Sequence, residues 1–232
     1  MDKRVLIIVP AFNEEKNITH VIEEIRTSLP DYDILVINDC SLDNTSSVAK
    51  SKEGVRVVDL PCNLGIGGAV QTGFKYAYEH GYDYAVQVDG DGQHIAVEVK
   101  KLISVLENEH CDMVIGSRFL DTKSFRSTRA RRVAIRLFYY LYRMLIGIRV
   151  TDGTSGFRAY NRRSIEFLRY NYPDDYPEPE AVVMLKRKDF NISEVGVRMR
   201  ERIHGKSSIT PLKSLYYVAK VALSIFFSYL RD

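Results

Sequence analysis

Asp89-Gly90-Asp91-Gly92-Gln93-His94 follows directly on the apolar run Tyr84 to Val88, so two carboxylates stand at the mouth of an expected strand. A strand end inside a sheet is a costly place for bare charge. Carboxylates two apart, spaced by glycines that let the backbone turn tightly, suit a divalent cation holding a phosphate-bearing ligand. Asp and Gly are also ordinary turn residues, so these six residues alone fit an acidic surface turn as well. Two more apolar runs end in acids: Pro10-Ala11-Phe12-Asn13-Glu14-Glu15 closes the first, and Asn38-Asp39-Cys40-Ser41-Leu42-Asp43-Asn44-Thr45 the second. In a parallel sheet such ends are neighbours, so Glu14, Asp39, Asp43, Asp89 and Asp91 are expected to converge on one crevice. Asp43, just before Asn44-Thr45, also suits a helix cap. Asn63-Leu64-Gly65-Ile66-Gly67-Gly68-Ala69 is a glycine-rich loop opening a helix, which brings backbone N–H groups close to an anion. It is not a dinucleotide fingerprint, because position 70 is Val and the run follows the third strand rather than the first. Close packing at a helix start is an equally good reading of these glycines.

The elements that must position these groups alternate. Runs rich in β-branched residues recur at Val5 to Val9, Ile34 to Ile37, Val55 to Leu60, Tyr84 to Val88 and Met113 to Ile115. Helical patterns fill the gaps at Ile18 to Leu29, Thr45 to Lys50, Ala69 to His80 and Ala96 to Glu107. This order predicts an α/β fold with a mostly parallel sheet and ligands at the carboxyl ends of its strands. Pro173 and Pro177 mark a loop, and Ser193 to Met199 reads as a last strand before a polar linker around His204 to Ser208.

The chain has 232 residues and a formal net charge of +3 that conceals an asymmetry. Residues 1–117 carry 10 Lys+Arg against 19 Asp+Glu, and residues 118–232 carry 23 against 11. A basic half beside an acidic metal site suggests anionic ligands or an anionic membrane surface. Nucleic acid fits poorly, since the arginines form no recognisable motif with exposed aromatic platforms. The basic stretch Arg118 to Arg149 holds nine Lys+Arg and one acid, and Ala134 to Ile148 interleaves arginines with Leu137, Phe138, Tyr140, Leu141 and Leu145. Core packing is the expected role of that apolar face. From Pro211 onward, Lys213, Tyr217, Lys220, Ser224, Ser228 and Arg231 form one polar stripe. The remaining face, with Leu223, Phe226, Phe227 and Leu230, suits a membrane surface or a partner's membrane helix, yet is too short to span a bilayer. Cys40, Cys62 and Cys111 lack metal-ligand spacing and read as reduced thiols, and the N-terminus leaves no room for an export signal. A cytoplasmic protein is expected.

Taken together, Pro10 to Glu14, Asn38 to Thr45, Asn63 to Ala69, Asp89 to His94, Gly116-Ser117-Arg118 and Ser155 to Tyr160 resemble, in order and spacing, the inverting family 2 glycosyltransferases of GT-A fold. The resemblance is strongest to the dolichyl-phosphate mannose synthase-like, polyprenyl-phosphate branch and reaches to about Ser208. It implies a nucleotide-sugar donor at the strand ends, with Asp39 near the base and Asp89, Asp91 and Gln93 around Mg²⁺ or Mn²⁺. Pro10, Ala11, Asn13, Glu14, Gly65, Gly68, Gly90, Arg158 and Lys206 would complete the donor site. The acceptor implied is a polyprenyl phosphate, undecaprenyl or dolichyl, met on the cytoplasmic face of a membrane. Asp91 would act with arginines aimed at the leaving diphosphate, for which Arg118, Arg131, Arg132, Arg158 and Arg202 are candidates. Arg200 to Ser208 resembles the family's basic loop that closes on phosphates.

The expected organisation is a catalytic domain over 1–208 and a contact helix over 209–232, with a small membrane-protein partner or direct membrane contact, and an oligomer possible. The branch's usual Asp-Ala-Asp is Asp89-Gly90-Asp91 here, and its acidic pair at the second strand end is Asn38-Asp39. These departures favour a UDP-sugar while leaving GDP-mannose open. Two alternatives remain: a polysaccharide-extending enzyme that uses Glu178 or Glu180 as base for a hydroxyl acceptor, and a non-catalytic nucleotide-sugar-binding subunit.

Overall fold

The computed structural model describes residues 3–120, 129–201 and 211–230, the last two ranges with backbone alone for 129–135 and 211–218. Seven strands, β1 (Val5–Ala11), β2 (Asp33–Asn38), β3 (Val55–Asp59), β4 (Tyr84–Gln87), β5 (Met113–Ser117), β6 (Arg158–Asn161) and β7 (Ile192–Gly196), form one sheet in the order β3-β2-β1-β4-β6-β5-β7. All neighbours are parallel except β6, which runs antiparallel to β4 and β5. β1 is buried at all seven positions because helices cover both faces of the sheet, which is why its sequence is a continuous apolar run rather than an alternating one.

Helices α1 (Ile18–Ser28) and α4 (Val99–Asn108) cover one face, where Ile7 and Val9 meet Ile22, Ile25, Leu102 and Leu106. The short α2 (Thr45–Lys50) follows β2, and α3 (Gly65–Glu79) follows β3. On the opposite face Leu6 and Ile8 pack with Val70 and Phe74 of α3. The same cluster takes in α5 (Arg129–Ile146), α6 (Arg162–Asn171), α7 (Pro177–Arg187) and α8 (Pro211–Leu230) through Tyr142, Leu168, Val182 and Ile225. Successive β1 side chains thus feed two cores, as the two-residue period of a strand requires.

Three differences from the sequence expectation concern the site. Strand β6 was not anticipated: four residues starting with a charged arginine carry almost no periodicity, and tertiary pairing alone makes them a strand. Helices α6 and α7 also escape the pattern; α6 starts at Asn161, whose side-chain oxygen accepts the Ser164 N–H at 2.9 Å, and α7 starts at Pro177. Finally, α3 begins at Gly65 rather than Ala69, so its glycines lie within the first turn. The basic helix α5 buries Phe138 and Tyr142 but exposes Leu137 and Tyr140, so only part of its apolar set faces the core.

The register places the chemistry. Ala11 pairs with Asn38, Asn38 with Asp59, and Ile8 with Gln87, so the loops after β1, β2, β3 and β4 leave one edge of the sheet together. Because β6 is antiparallel and Arg158 pairs with Gln87, its amino end brings Ser155-Gly156-Phe157 to that same edge.

Candidate active site

A cleft of about 200 Å³ opens at this edge. Pro10, Ala11, Phe12 and Glu14 line it from the β1 loop and Asp39 from the β2 loop. Ile66 and Ala69 contribute from the first turns of α3, and Asp89, Gly90 and Asp91 from the loop after β4. A larger groove of about 870 Å³ lies between the α6–α7 connection and α8, but it contains none of the strand-end carboxylates.

Each wall is locked by local bonds. Asn13 has a left-handed φ of 55°; its N–H donates to Ser41 Oγ at 3.0 Å and its Oδ1 accepts the Leu42 N–H at 2.8 Å, tying the β1 and β2 loops together. The Glu14 N–H donates to Thr45 Oγ1 at 2.8 Å, and Glu14 Oε2 accepts from Asn17 Nδ2 at 2.6 Å. Asp43 accepts the Thr45 N–H at 3.0 Å, one residue ahead of the N-cap Asn44, and stands outside the cleft lining. Burial opposes ionisation of Asp43, but its bonds from Thr45 and Glu15 outweigh that and hold the carboxyl below its ordinary range. Asp39 is buried, and its Oδ1 accepts the Leu64 N–H at 2.7 Å, so this carboxylate positions the entry to α3. Gly65 there has φ +74°, and a Cβ on Gly67 would stand 2.4 Å from the Pro173 carbonyl oxygen. Gly68 packs as tightly on its own turn, where a Cβ would meet Leu64 Cβ at 2.4 Å. The glycine run therefore serves close packing at a helix start.

The Asp89–His94 loop crosses the β1 end so closely that a Cβ on Gly90 would lie 3.0 Å from the Pro10 carbonyl oxygen. The Asp89 N–H donates to His94 Nδ1 at 3.0 Å, and the imidazole stacks on Phe157 with centroids 4.6 Å apart. Burial pushes the His94 pKa down, against the pull of Asp89 and Asp91. Asp91 Oδ1 accepts the Gln93 N–H at 3.0 Å, and the Gln93 carbonyl accepts from Arg200 N–H at 3.0 Å. Gln93 is not part of the cleft lining. An isolated bridge joins His94 to Met199, so the chain beyond β7 runs over this loop.

The candidate arginines separate. Arg118 is clamped by Asp152, with Nε to Oδ2 at 2.7 Å and Nη2 to Oδ1 at 2.6 Å, and its charge reaches His94. Arg158 is fully buried and turned away from the cleft: Nε donates to Ser155 O, Nη2 to Gly153 O and Nη1 to Glu178 O, each at 2.7 Å. It holds the backbone that frames the site and does not face a bound diphosphate. Arg131 and Arg132 lie on α5 with side chains outside the described residues, as do Arg202 and Lys206 altogether. Sequence reasoning gave no role to Gln87, which bonds Asp89 two residues on, or to Asp152, which clamps Arg118; Gly156 entered only within the family resemblance, and the antiparallel β6 brings it against Asp89.

Among the described residues no three His, Cys, Asp or Glu side chains gather as an all-protein metal cage. Two carboxylates in an open cleft are the donor set that suits a Mg²⁺ or Mn²⁺ completed by diphosphate oxygens and water. The side chain of Asp89 is 35% exposed, so an oxygen is accessible to such an ion.

The glycosyl transferase family 2 profile matches residues 6–169. The UDP-N-acetylglucosamine–dolichyl-phosphate N-acetylglucosaminyltransferase of Methanococcus voltae is 32% identical over 217 residues, covering 85% of this chain and 86% of that protein. The polyprenol monophosphomannose synthase of Mycolicibacterium smegmatis is 28% identical, covering 90% and 82%. Among solved structures, glucosyl-3-phosphoglycerate synthase from Mycobacterium tuberculosis, in complex with Mn²⁺, UDP-glucose and phosphoglyceric acid, superposes with a TM-score of 0.74 over 99% of this chain and 81% of that one, at 22% identity. That likeness is one of fold, and the fold is GT-A. With the strand-end cleft, the sheet order and the profile match in agreement, this chain belongs to glycosyl transferase family 2 and is a glycosyltransferase.

Proposed function

We propose that this enzyme transfers one sugar from a nucleotide-sugar, UDP-linked in preference to GDP-linked, to a polyprenyl phosphate with inversion at the anomeric carbon. The relatives named for dolichyl-phosphate and polyprenol-phosphate products support the acceptor class. The observation that carries the reading is the placement of Glu178 and Glu180. A hydroxyl acceptor needs a base beside the anomeric carbon, whereas a phosphate oxygen is already an anion. Neither glutamate lines the cleft: Glu180 lines the larger groove, and the Glu178 carboxyl is hydrogen-bonded to Gln87.

In this scheme the acceptor phosphate oxygen forms the new bond to the anomeric carbon, and the bond to the donor diphosphate breaks with its electron pair on the nucleotide. A Mg²⁺ or Mn²⁺ held by Asp89 and Asp91 would neutralise the charge that develops on the diphosphate. Asp39 and the β1 loop would shape the donor end of the cleft, and Arg118, fixed by Asp152 outside the lining, would add positive charge nearby.

The reading includes membrane contact. No helix among the described residues is long and apolar enough to cross a membrane. Leu223, Phe226, Phe227 and Leu230 of α8 are exposed, while Val221 and Ile225 dock the helix on the core. On α5, Leu137, Tyr140 and Met144 are exposed beside the exposed Arg136 and Arg143. Apolar side chains flanked by arginines suit an anionic bilayer surface. The three free thiols suit its cytoplasmic side. On this view residues 1–208 are the catalytic unit and 209–232 the contact helix.

The test is acceptor choice. Polyprenyl phosphate, the matching polyprenol and an oligosaccharide are offered in parallel. Label passing only to the phosphate supports the reading, and label on the polyprenol or oligosaccharide sinks it.

A further inference from the structure

The Asp89 carboxylate sits in a seat made by residues that do not line the cleft. Gln87, on β4 and 1% exposed, donates from Nε2 to Asp89 Oδ1 at 3.1 Å. Its other amide atom, Oε1, is buried with no hydrogen-bond partner. The Glu178 carboxyl lies against the same amide. One NH₂ group has two hydrogens, and here two carboxylates take one each. An amide turned to serve both leaves its oxygen unpaired, which is an arrangement that packing alone disfavours.

The third side of the seat is backbone. A Cβ on Gly156 would stand 2.8 Å from Gln87 Nε2 and 3.0 and 3.1 Å from the two Asp89 carboxylate oxygens. Only a glycine leaves room for both side chains. Arg158 holds this backbone in place, since it bonds the carbonyls of Ser155 and Glu178 at once. Gln87 and Arg158 are register partners across β4 and β6, so the seat is anchored at the end of a strand pairing.

We propose that Gln87, given room by Gly156, is the positioning residue that sets the orientation of the Asp89 carboxylate and thereby the enzyme's affinity for its divalent metal. The inference rests on the reading of Asp89 as a metal ligand and not on the identity of the acceptor. Groups that hydrogen-bond a ligating carboxylate orient it, and their loss weakens metal binding about 10–100-fold. Gly156→Ala acts on the same carboxylate by displacement.

The test is Mn²⁺ binding to the full chain, followed by the EPR signal of free Mn²⁺ in separate arms with UDP and with GDP. Melting temperature is recorded for every variant. Gln87→Met and Gly156→Ala are expected to weaken Mn²⁺ binding about 10-fold or more while folding cooperatively. Ile8→Val, a core change at the position paired with Gln87, should lower the melting temperature and leave Mn²⁺ affinity unchanged. Unaltered affinity in Gln87→Met and Gly156→Ala overturns the proposal while the metal reading of Asp89 stands. Failure of the unmodified protein to bind Mn²⁺ in either arm overturns both.

Discussion

Asp89 and His94 are joined through the backbone: the Asp89 N–H donates to His94 Nδ1, so the imidazole proton resides on Nε2, 3.6 Å from Asp89 Oδ2. One side chain thus closes the turn and faces the carboxylate five residues before it. His94→Phe would keep a ring against Phe157 and remove the acceptor for the Asp89 amide. A stability loss of about 1–3 kcal/mol in urea unfolding is expected. Unchanged stability would show that the bond does not hold the turn.

Gly67 is a point of close packing between the first turn of α3 and the α6–α7 connection. A Cβ there would lie 2.4 Å from Pro173 O and 2.7 Å from Asp174 O, both backbone atoms with little freedom to yield. Gly67→Ala should therefore cost about 1–3 kcal/mol, despite alanine's higher helix propensity. A stabilised variant in thermal melting would contradict the packing reading.

Most of the sheet was legible because its parallel strands are buried on both faces and announce themselves as apolar runs; β1 and β2 are the clearest cases. The cleft was legible for a related reason, since acids at the ends of such runs, Asp39, Asp89 and Asp91, have only one edge to occupy. Arg158 was not legible. Its type suggested a phosphate contact, but β6 turns it inward, and three carbonyl oxygens there satisfy a buried guanidinium. Gly156 was legible only as part of the resembling motif, because its contact with Gln87 and Asp89 depends on an antiparallel pairing that leaves no trace in local periodicity, and Gln87 read as one more residue of an apolar run.

Glu178 gives a signature in pH. Burial raises its pKa above the ordinary 4.5, with Arg158 opposing and Asp89 adding to the rise. The folded state therefore holds this proton more tightly than the unfolded chain. Its contribution is most favourable below pH 4.5 and declines as pH rises from there through the folded value. Glu178→Gln, which cannot ionise, should match the parent in melting temperature at low pH and gain on it toward neutrality. Parallel melting curves across pH would refute the assignment.

The exposed faces of α5 and α8 predict binding to anionic vesicles. Phe227→Ser with Leu230→Ser should reduce co-flotation with phosphatidylglycerol vesicles several-fold, and raised salt should weaken the parent's binding. If the unmodified chain stays in the soluble fraction, attachment through a membrane-protein partner replaces direct contact.

Metal-dependent sugar transfer to a lipid phosphate is the reaction proposed for this enzyme. Its most direct measurement offers a panel of radiolabelled UDP- and GDP-sugars with polyprenyl phosphate in detergent, with and without Mn²⁺, beside Asp91→Ala. Organic-extractable label is expected from one donor, abolished without metal and in the variant. Nucleotide-sugar binding with no lipid product from any donor would contradict it.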